Sequence, residues 1–214
     1  MHIIWQGQSC FQLIATRQKG EQVTIIIDPF DEETGLKVPS LNGDILLITH
    51  DHHDHNNKKI IKGTPFIIEG PGEYESKEVY IQGVSSFHSE DKKEQNTIYI
   101  IEAEGLKICH LGDLGQKELT PEQLEKIGDV DILMVPVGGV HTIDSKIATK
   151  IISQIEPHIA IPMHYALPKL KVKLDGVEIF LKEMGKKSVE PQPKLLIKKK
   201  DLTSEETQVV VLTP

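Results

Sequence analysis

Asp44-Ile45-Leu46-Leu47-Ile48-Thr49-His50-Asp51-His52-His53-Asp54-His55 is the stretch on which the reading of this chain turns. Its first part is an apolar run and reads as a short buried strand. Its second part holds four of the ten histidines. These fall just past the strand end, on a loop, where functional groups tend to collect. A helix would not suit them. Residues two apart on a helix point to nearly opposite sides, so His50 and His52 could not share a ligand there; in extended backbone they face the same way. Asp54 and His55 follow a bend and can serve a second site. Neutral imidazoles with a carboxylate suit a borderline divalent ion such as zinc, and an all-His/Asp set also accepts manganese or iron. The plain alternative is a histidine-rich polar loop without metal. Three imidazoles and an acid at these offsets count against it.

Working outward, 214 residues fit one large domain or two small ones, and we expect a single domain over 1–214. At this size folding buries roughly 70–75% of the extended-chain surface, so a full core needs no disulfide. The formal charge of −8 argues against nucleic-acid binding, which relies on Lys and Arg to neutralise phosphates. Arg17 is the only arginine, so a bidentate clamp on an anionic substrate would have to come from it. Cys10 and Cys109 each lie in an apolar run and read as buried free thiols. Free thiols suggest a reducing compartment, and Met1 to Gln6 has no signal-peptide pattern, so the expectation is cytoplasmic. No apolar run approaches membrane-spanning length. A small-molecule substrate is therefore the expected partner, and the oligomeric state stays open.

In chain order, Ile3–Trp5, Cys10–Thr16 and Val23–Ile27 read as a β-meander. Asp28-Pro29 ends it, and an acid before proline is ordinarily a turn residue. Asn56–Ile61 suggests a short helix start. Gly70-Pro71-Gly72-Glu73-Tyr74 reads as a turn whose Glu73 and Tyr74 could reach the site. Val79–Phe87 alternates as a strand ending in His88. Thr97–Glu102 and Leu106–Cys109 form a hairpin that runs out at His110-Leu111-Gly112-Asp113. Thr120-Pro121-Glu122-Gln123 is a helix start with a Thr cap, a first-position Pro and a capping-box Gln, and Gly128 stops that helix. Ile132–Val135 is a buried strand. Ile147, Ile151 and Ile155 mark an amphipathic helix that ends before Pro157. Ile159–Ile161 is a strand whose end carries Pro162-Met163-His164. Lys182–Asp201, with seven lysines against three acids, reads as solvated surface. Leu195–Ile197 and Val209–Leu212 should be closing strands. Asp28, His50, His88, Asp113 and His164 thus each stand at or just beyond a strand-like run, as in layered α/β folds that gather a site at strand ends.

The spacing His-x-His-x-Asp-His from His50 to His55, preceded by Thr49, resembles the metal-binding motif of the metallo-β-lactamase-fold hydrolases. The resemblance runs from the first strand to His164. It implies a four-layer αββα sandwich with the metals at one edge. It also implies two divalent metal ions, zinc first and manganese or iron next, with His50, His52 and His88 on one, Asp54, His55 and His164 on the other, and Asp113 bridging. For the third histidine of the first metal, His110 rivals His88. It lies three residues before Asp113, an odd offset that in a strand would turn it to the opposite face. Asp28 matches an aspartate that supports the metal loop without binding metal. Gly7-Gln8-Ser9 departs slightly, since relatives often carry His where Gln8 stands. His53, His141 and His158 match no ligand position, and His141 could sit near the mouth.

The short chain, the Gly-Pro-Gly-Glu-Tyr segment and His110-Leu111-Gly112-Asp113 look like the Zn-dependent hydrolases related to L-ascorbate-6-phosphate lactonase. The implied activity is hydrolysis of a small ester, lactone or phosphoester by a water activated between the metals, with Asp54 as the catalytic carboxylate. The alternative of a different class is a metal-binding protein of the same fold without turnover, acting as a scaffold or partner-binding module.

Overall fold

The structure is a computed structural model and describes residues 1–89, 94–204 and 206–214. The chain runs through β1 (His2–Gly7), β2 (Cys10–Thr16), β3 (Gln22–Ile27), β4 (Leu41–Asn42), β5 (Ile45–Leu47), β6 (Ile61–Lys62), β7 (Phe66–Ile68), β8 (Gly72–Ser76), β9 (Val79–Phe87), β10 (Gln95–Ala103) and β11 (Leu106–His110). It continues through α1 (Pro121–Ile127), β12 (Ile132–Pro136), α2 (Ser145–Ile155), β13 (Ile159–Met163), α3 (Val177–Glu183), β14 (Leu195–Leu196) and β15 (Gln208–Val209).

Two sheets carry most of these strands. The first has the order β14-β1-β2-β3-β5-β7, and the second β15-β13-β12-β11-β10-β9-β8. The period-2 alternation of a strand sorts their side chains. Ile25 and Ile27 of β3, with Ile45 and Leu47 of β5, join the core between the sheets, whereas Ile26 and Leu46 face outward. That outer face is covered by Phe30 and Leu41, with Leu36, Val38 and Ile61 packed alongside. The layer over the first sheet is therefore a loop, while α1 and α2 lie against β9 and β12 of the second. This is the expected αββα layering with one thin outer layer. Among the described residues no helix is long and apolar enough to cross a membrane.

Topology places the site. β3 and β5 are parallel, so Asp28 and the histidine loop leave the first sheet at the same edge. β9 and β11 are each antiparallel to β10 and hence parallel to one another. β11, β12 and β13 are parallel as well. His88, Asp113 and His164 therefore leave the second sheet at one edge.

The meander, the hairpin and α1 with its capping box form as read; Gln123 N donates to Thr120 Oγ1 at 3.2 Å and Thr120 N to Gln123 Oε1 at 2.9 Å. Four readings need correcting. Gly72 to Tyr74 is not turn but edge strand β8, paired with β9 through Gly72 and Gly83. The residues that pass over Gly83 are Gly70 and Pro71, so close that a Cβ on Gly83 would stand 2.6 Å from the Gly70 oxygen. Asn56–Ile61 contains only one 3₁₀ turn, Lys58–Ile60. The tail does close the sheets, with β14 beside β1 and β15 beside β13, but its strands are only two residues each and the second covers Gln208–Val209 instead of Val209–Leu212. Lys182–Asp201 is not surface throughout, since Leu195 and Ile197 are buried and Lys199 pairs with buried Asp131 at 2.6 Å.

Candidate metal centre

The geometry starts with Asp28. Its backbone N–H donates to the Leu47 oxygen at 3.0 Å, in continuation of the β3–β5 pairing. Its buried carboxylate faces the first residue of the histidine loop and accepts from Thr49 N (2.8 Å), Thr49 Oγ1 (2.7 Å) and His55 Nδ1 (2.9 Å). An ionised carboxylate only accepts, so both side-chain partners must donate. The single Thr49 hydroxyl proton is then spent on Asp28. Thr49 Oγ1 can only accept from His50 Nδ1, 2.9 Å away. The result is that His50 and His55 both carry hydrogen on Nδ1, and their Nε2 atoms face the centre of the site. From the second sheet Thr97 N donates to the Thr49 oxygen (2.9 Å) and the Tyr99 hydroxyl to the Ile48 oxygen (2.9 Å), which fastens the loop across the sandwich.

Seven residues converge. One atom each from His50, His52 and His88 lies within 4.8 Å of the others, as do atoms of Asp54, His55, Asp113 and His164. Asp113 stands between the groups: its Oδ2 is 3.2 Å from His55 Nε2, 3.4 Å from His164 Nε2 and 3.6 Å from His88 Nε2. Asp113 is held by Ser9 Oγ at 3.1 Å and by Asn96, whose Oδ1 accepts from Asp113 N at 3.1 Å. Asn96 also donates to Ser86 Oγ and the Leu111 oxygen. Gly112, at φ +56°, passes so close to Asn96 that a Cβ there would lie 2.3 Å from Oδ1. Gln8 Nε2 donates to Asp54 Oδ2 at 3.3 Å, and the Gln8 oxygen accepts from His164 N. Gln8, Asp28 and His164 all have positive φ, between 47° and 51°.

The donor set fits divalent metal. His50 Nε2 and His55 Nε2, which both face the centre of the site, are buried and have no hydrogen-bond partner. Each such atom costs about 1–3 kcal/mol unless something fills its lone pair. Burial pushes His50 down to about 2, and the charge on His55 adds to this, so His50 stays neutral and free to ligate. Burial and then His88 also lower His52. Burial opposes the charge on Asp113, yet His164 and His55 outweigh it and hold the carboxyl well below its usual range. Asp54 is lowered in the same way, against burial, by His55. His55 is the converse: burial works against its proton, but Asp113, Asp28 and Asp54 raise it well above its ordinary value.

A cavity of about 410 Å³ opens over the site, lined by Gln8, His52, Asp54, His88, Asp113, His141, His164 and Val172 among others. A larger open trough of about 1050 Å³ lies at the opposite edge, where β11 to β13 begin. Its lining contains none of the seven convergent residues, so the smaller cavity is the candidate site.

His110 stays apart from the ligand groups, buried with Nε2 at 2.9 Å from the Ser9 oxygen and Nδ1 accepting from Gly112 N. His53 is exposed at the rim, 3.2 Å from Asp31. His158 binds the Ser204 oxygen and lines the far trough. Glu73 and Tyr74 do not line the cavity. Sequence reasoning passed over Asn96 and gave Gln8 and Ser9 little weight. The one signal for Asn96 is a strand-averse residue inside a β-branched run.

A family model described as the beta-lactamase superfamily domain matches residues 2–164. A UPF0173 protein of Pyrococcus abyssi is 32% identical over 193 residues, covering 77% of this chain and 83% of its own. A UPF0173 metal-dependent hydrolase of Thermoplasma acidophilum is 31% identical over 198 residues, with the same coverage of 77% and 83%. A crystal structure from Thermotoga maritima, assigned to the Zn-dependent hydrolases of the metallo-β-lactamase superfamily, superposes with a TM-score of 0.79 at 38% identity, covering 99% of this chain and 97% of that one. With residues 2–164 matched and relatives above 30% identity along most of its length, the chain belongs to the metallo-β-lactamase superfamily, among the UPF0173 metal-dependent hydrolases.

Proposed function

We propose that the chain hydrolyses a small ester, lactone or phosphoester with the help of two divalent metal ions, zinc foremost. His50, His52 and His88 would hold one ion, Asp54, His55 and His164 the other, and Asp113 both. Bound there, the ions would bring the pKa of a water to about 7 and polarise the oxygen under attack. The chain's own groups do the rest. Asp28, through Thr49, keeps the Nε2 lone pairs of His50 and His55 aimed inward. Asp54 is ionised and reaches the cavity, and it takes the proton of the attacking water. Gln8 steadies Asp54 in that role.

The observation that carries this reading is the convergence of seven His and Asp side chains with buried, unpartnered imidazole nitrogens. Metal analysis of the purified protein, paired with an ester, lactone and phosphoester screen under zinc and manganese, tests it. Two metal equivalents are expected, with turnover abolished in His52→Ala and Asp113→Ala. Protein without bound transition metal, or full turnover in either variant, would sink the proposal.

A further inference from the structure

His141 lines the cavity beside Asp54, Asp113 and His164 but belongs to neither ligand group. Among the described residues its ring nitrogens have no hydrogen-bond partner. The segment that carries it, between β12 and α2, is firmly tied. Val137 N donates to the Met163 oxygen at 3.1 Å, next to His164. Ile143 N donates to the Leu114 oxygen at 2.9 Å, next to Asp113. Gly138 and Asp144 form a bridge, and Asp175 N donates to the Gly138 oxygen. His141 is thus referenced to the two strand ends that supply Asp113 and His164.

At the tip of the segment the backbone is strained. His141 N donates to the Gly139 oxygen at 2.8 Å, which closes a three-residue γ-turn around Val140 at φ +66°. This left-handed γ-turn is the rare and strained kind, and a β-branched residue is the least suited to positive φ. Val140 is 68% exposed, so its side chain recovers nothing by burial. Strain of this sort persists where surrounding structure over-determines it and clusters at functional sites. Here its visible result is the placement of one imidazole at the cavity mouth.

Hydrolysis of an ester or lactone needs a second proton transfer. The water oxygen bonds to the carbonyl carbon and gives a proton to Asp54, while the bond from carbon to the leaving oxygen breaks and that oxygen must gain a proton. Among the described lining residues no Lys or Arg is present, and His53 is engaged by Asp31. We propose that His141 donates this proton to the leaving oxygen. Its exposed position lets solvent return the proton, and Asp54 releases its own, so one water is consumed per bond cleaved. The assignment rests on the hydrolase reading and narrows it to substrates with poor leaving groups, alkyl esters and lactones.

The test compares metal-loaded wild type with His141→Gln across acetate esters running from p-nitrophenyl through phenyl to benzyl. A positioned acid contributes about 10²–10⁴-fold where it is needed. The expected result is nearly unchanged p-nitrophenyl cleavage and a loss of that size on the benzyl ester, with metal content and melting temperature unaltered. Val140→Gly should show the same pattern more weakly, because the turn no longer fixes the imidazole. Benzyl alcohol should also shift the His141 imidazole NMR signal. Equal losses across the series, no loss, or an unmoved signal overturn the proposal while leaving the hydrolase reading intact. Metal-loaded wild type that cleaves no member of the series overturns both.

Discussion

Replacing Asp28 by Asn removes one charge and almost no volume, and the outcome can be worked through bond by bond. Asn tolerates the φ of +47° found at this position, so the backbone stays in place. Its single oxygen must serve Thr49 N, a donor that cannot change role. The amide NH₂ then faces Thr49 Oγ1 and His55 Nδ1, both donors at present. The hydroxyl can turn its proton towards His50, and His55 can move its hydrogen to the other nitrogen. Each adjustment puts hydrogen on an Nε2 that should be a bare ligand atom.

Three charge-assisted bonds, each worth roughly 1.5–3 kcal/mol, become neutral ones of about 0.5–1.5 kcal/mol, so a net loss of about 3 kcal/mol of stability is expected. Both imidazoles must revert before they can ligate, and a supporting partner of this kind is typically worth 10–100-fold in metal affinity. We expect about 100-fold, or ~2.7 kcal/mol, because two ligands are affected together. Urea melts of the metal-free protein and zinc titration against a competing chelator read the two effects separately. Wild-type zinc affinity in Asp28→Asn would refute the tautomer argument, whatever happens to stability.

Gly115→Ala should displace His88, since a Cβ there would lie 1.9 Å from the His88 oxygen and 2.4 Å from its carbonyl carbon; overpacking costs about 1–3 kcal/mol, and metal analysis should show one equivalent lost. Metal uptake should depend on pH unequally at the two groups. Without metal His55 is raised and, beside Asp113, holds a second proton on Nε2 that the metal must displace, so affinity there falls as pH falls, whereas His50, held at about 2, has none to give. Calorimetry in buffers of different ionisation enthalpy should therefore register proton release on binding, and its absence would contradict the assignment. Burial pushes the Cys10 and Cys109 thiols far up, so a thiol reagent should label neither until urea unfolds the chain.

Much of this could be read from the sequence because strand ends announce themselves. Val23–Ile27, Ile45–Leu47 and Ile159–Met163 are apolar runs broken by polar residues, and Asp28, the histidine loop and His164 stand at those breaks. What stayed hidden depends on partners far along the chain. Asn96 matters through Leu111 and Asp113, which only strand pairing brings near. Ser9 reaches Asp113 across the two sheets. β8 was obscured because Gly70-Pro71-Gly72 carries a turn composition while its last residue pairs in a sheet. α3 has Gly176 at its start and no side-chain cap, so nothing in its composition marks where it begins. His141 fits no ligand motif and acquires interest only from the turn at Val140.

His50, His52 and His55 come from the first sheet, and His88, Asp113 and His164 from the second. Cations seated between them would act as a rivet through one end of the sandwich. Their binding energy would count towards folding, because the open chain offers no such grouping. Stripping them with a chelator should thus let the rim splay and its amides exchange with deuterium long before the opposite end does.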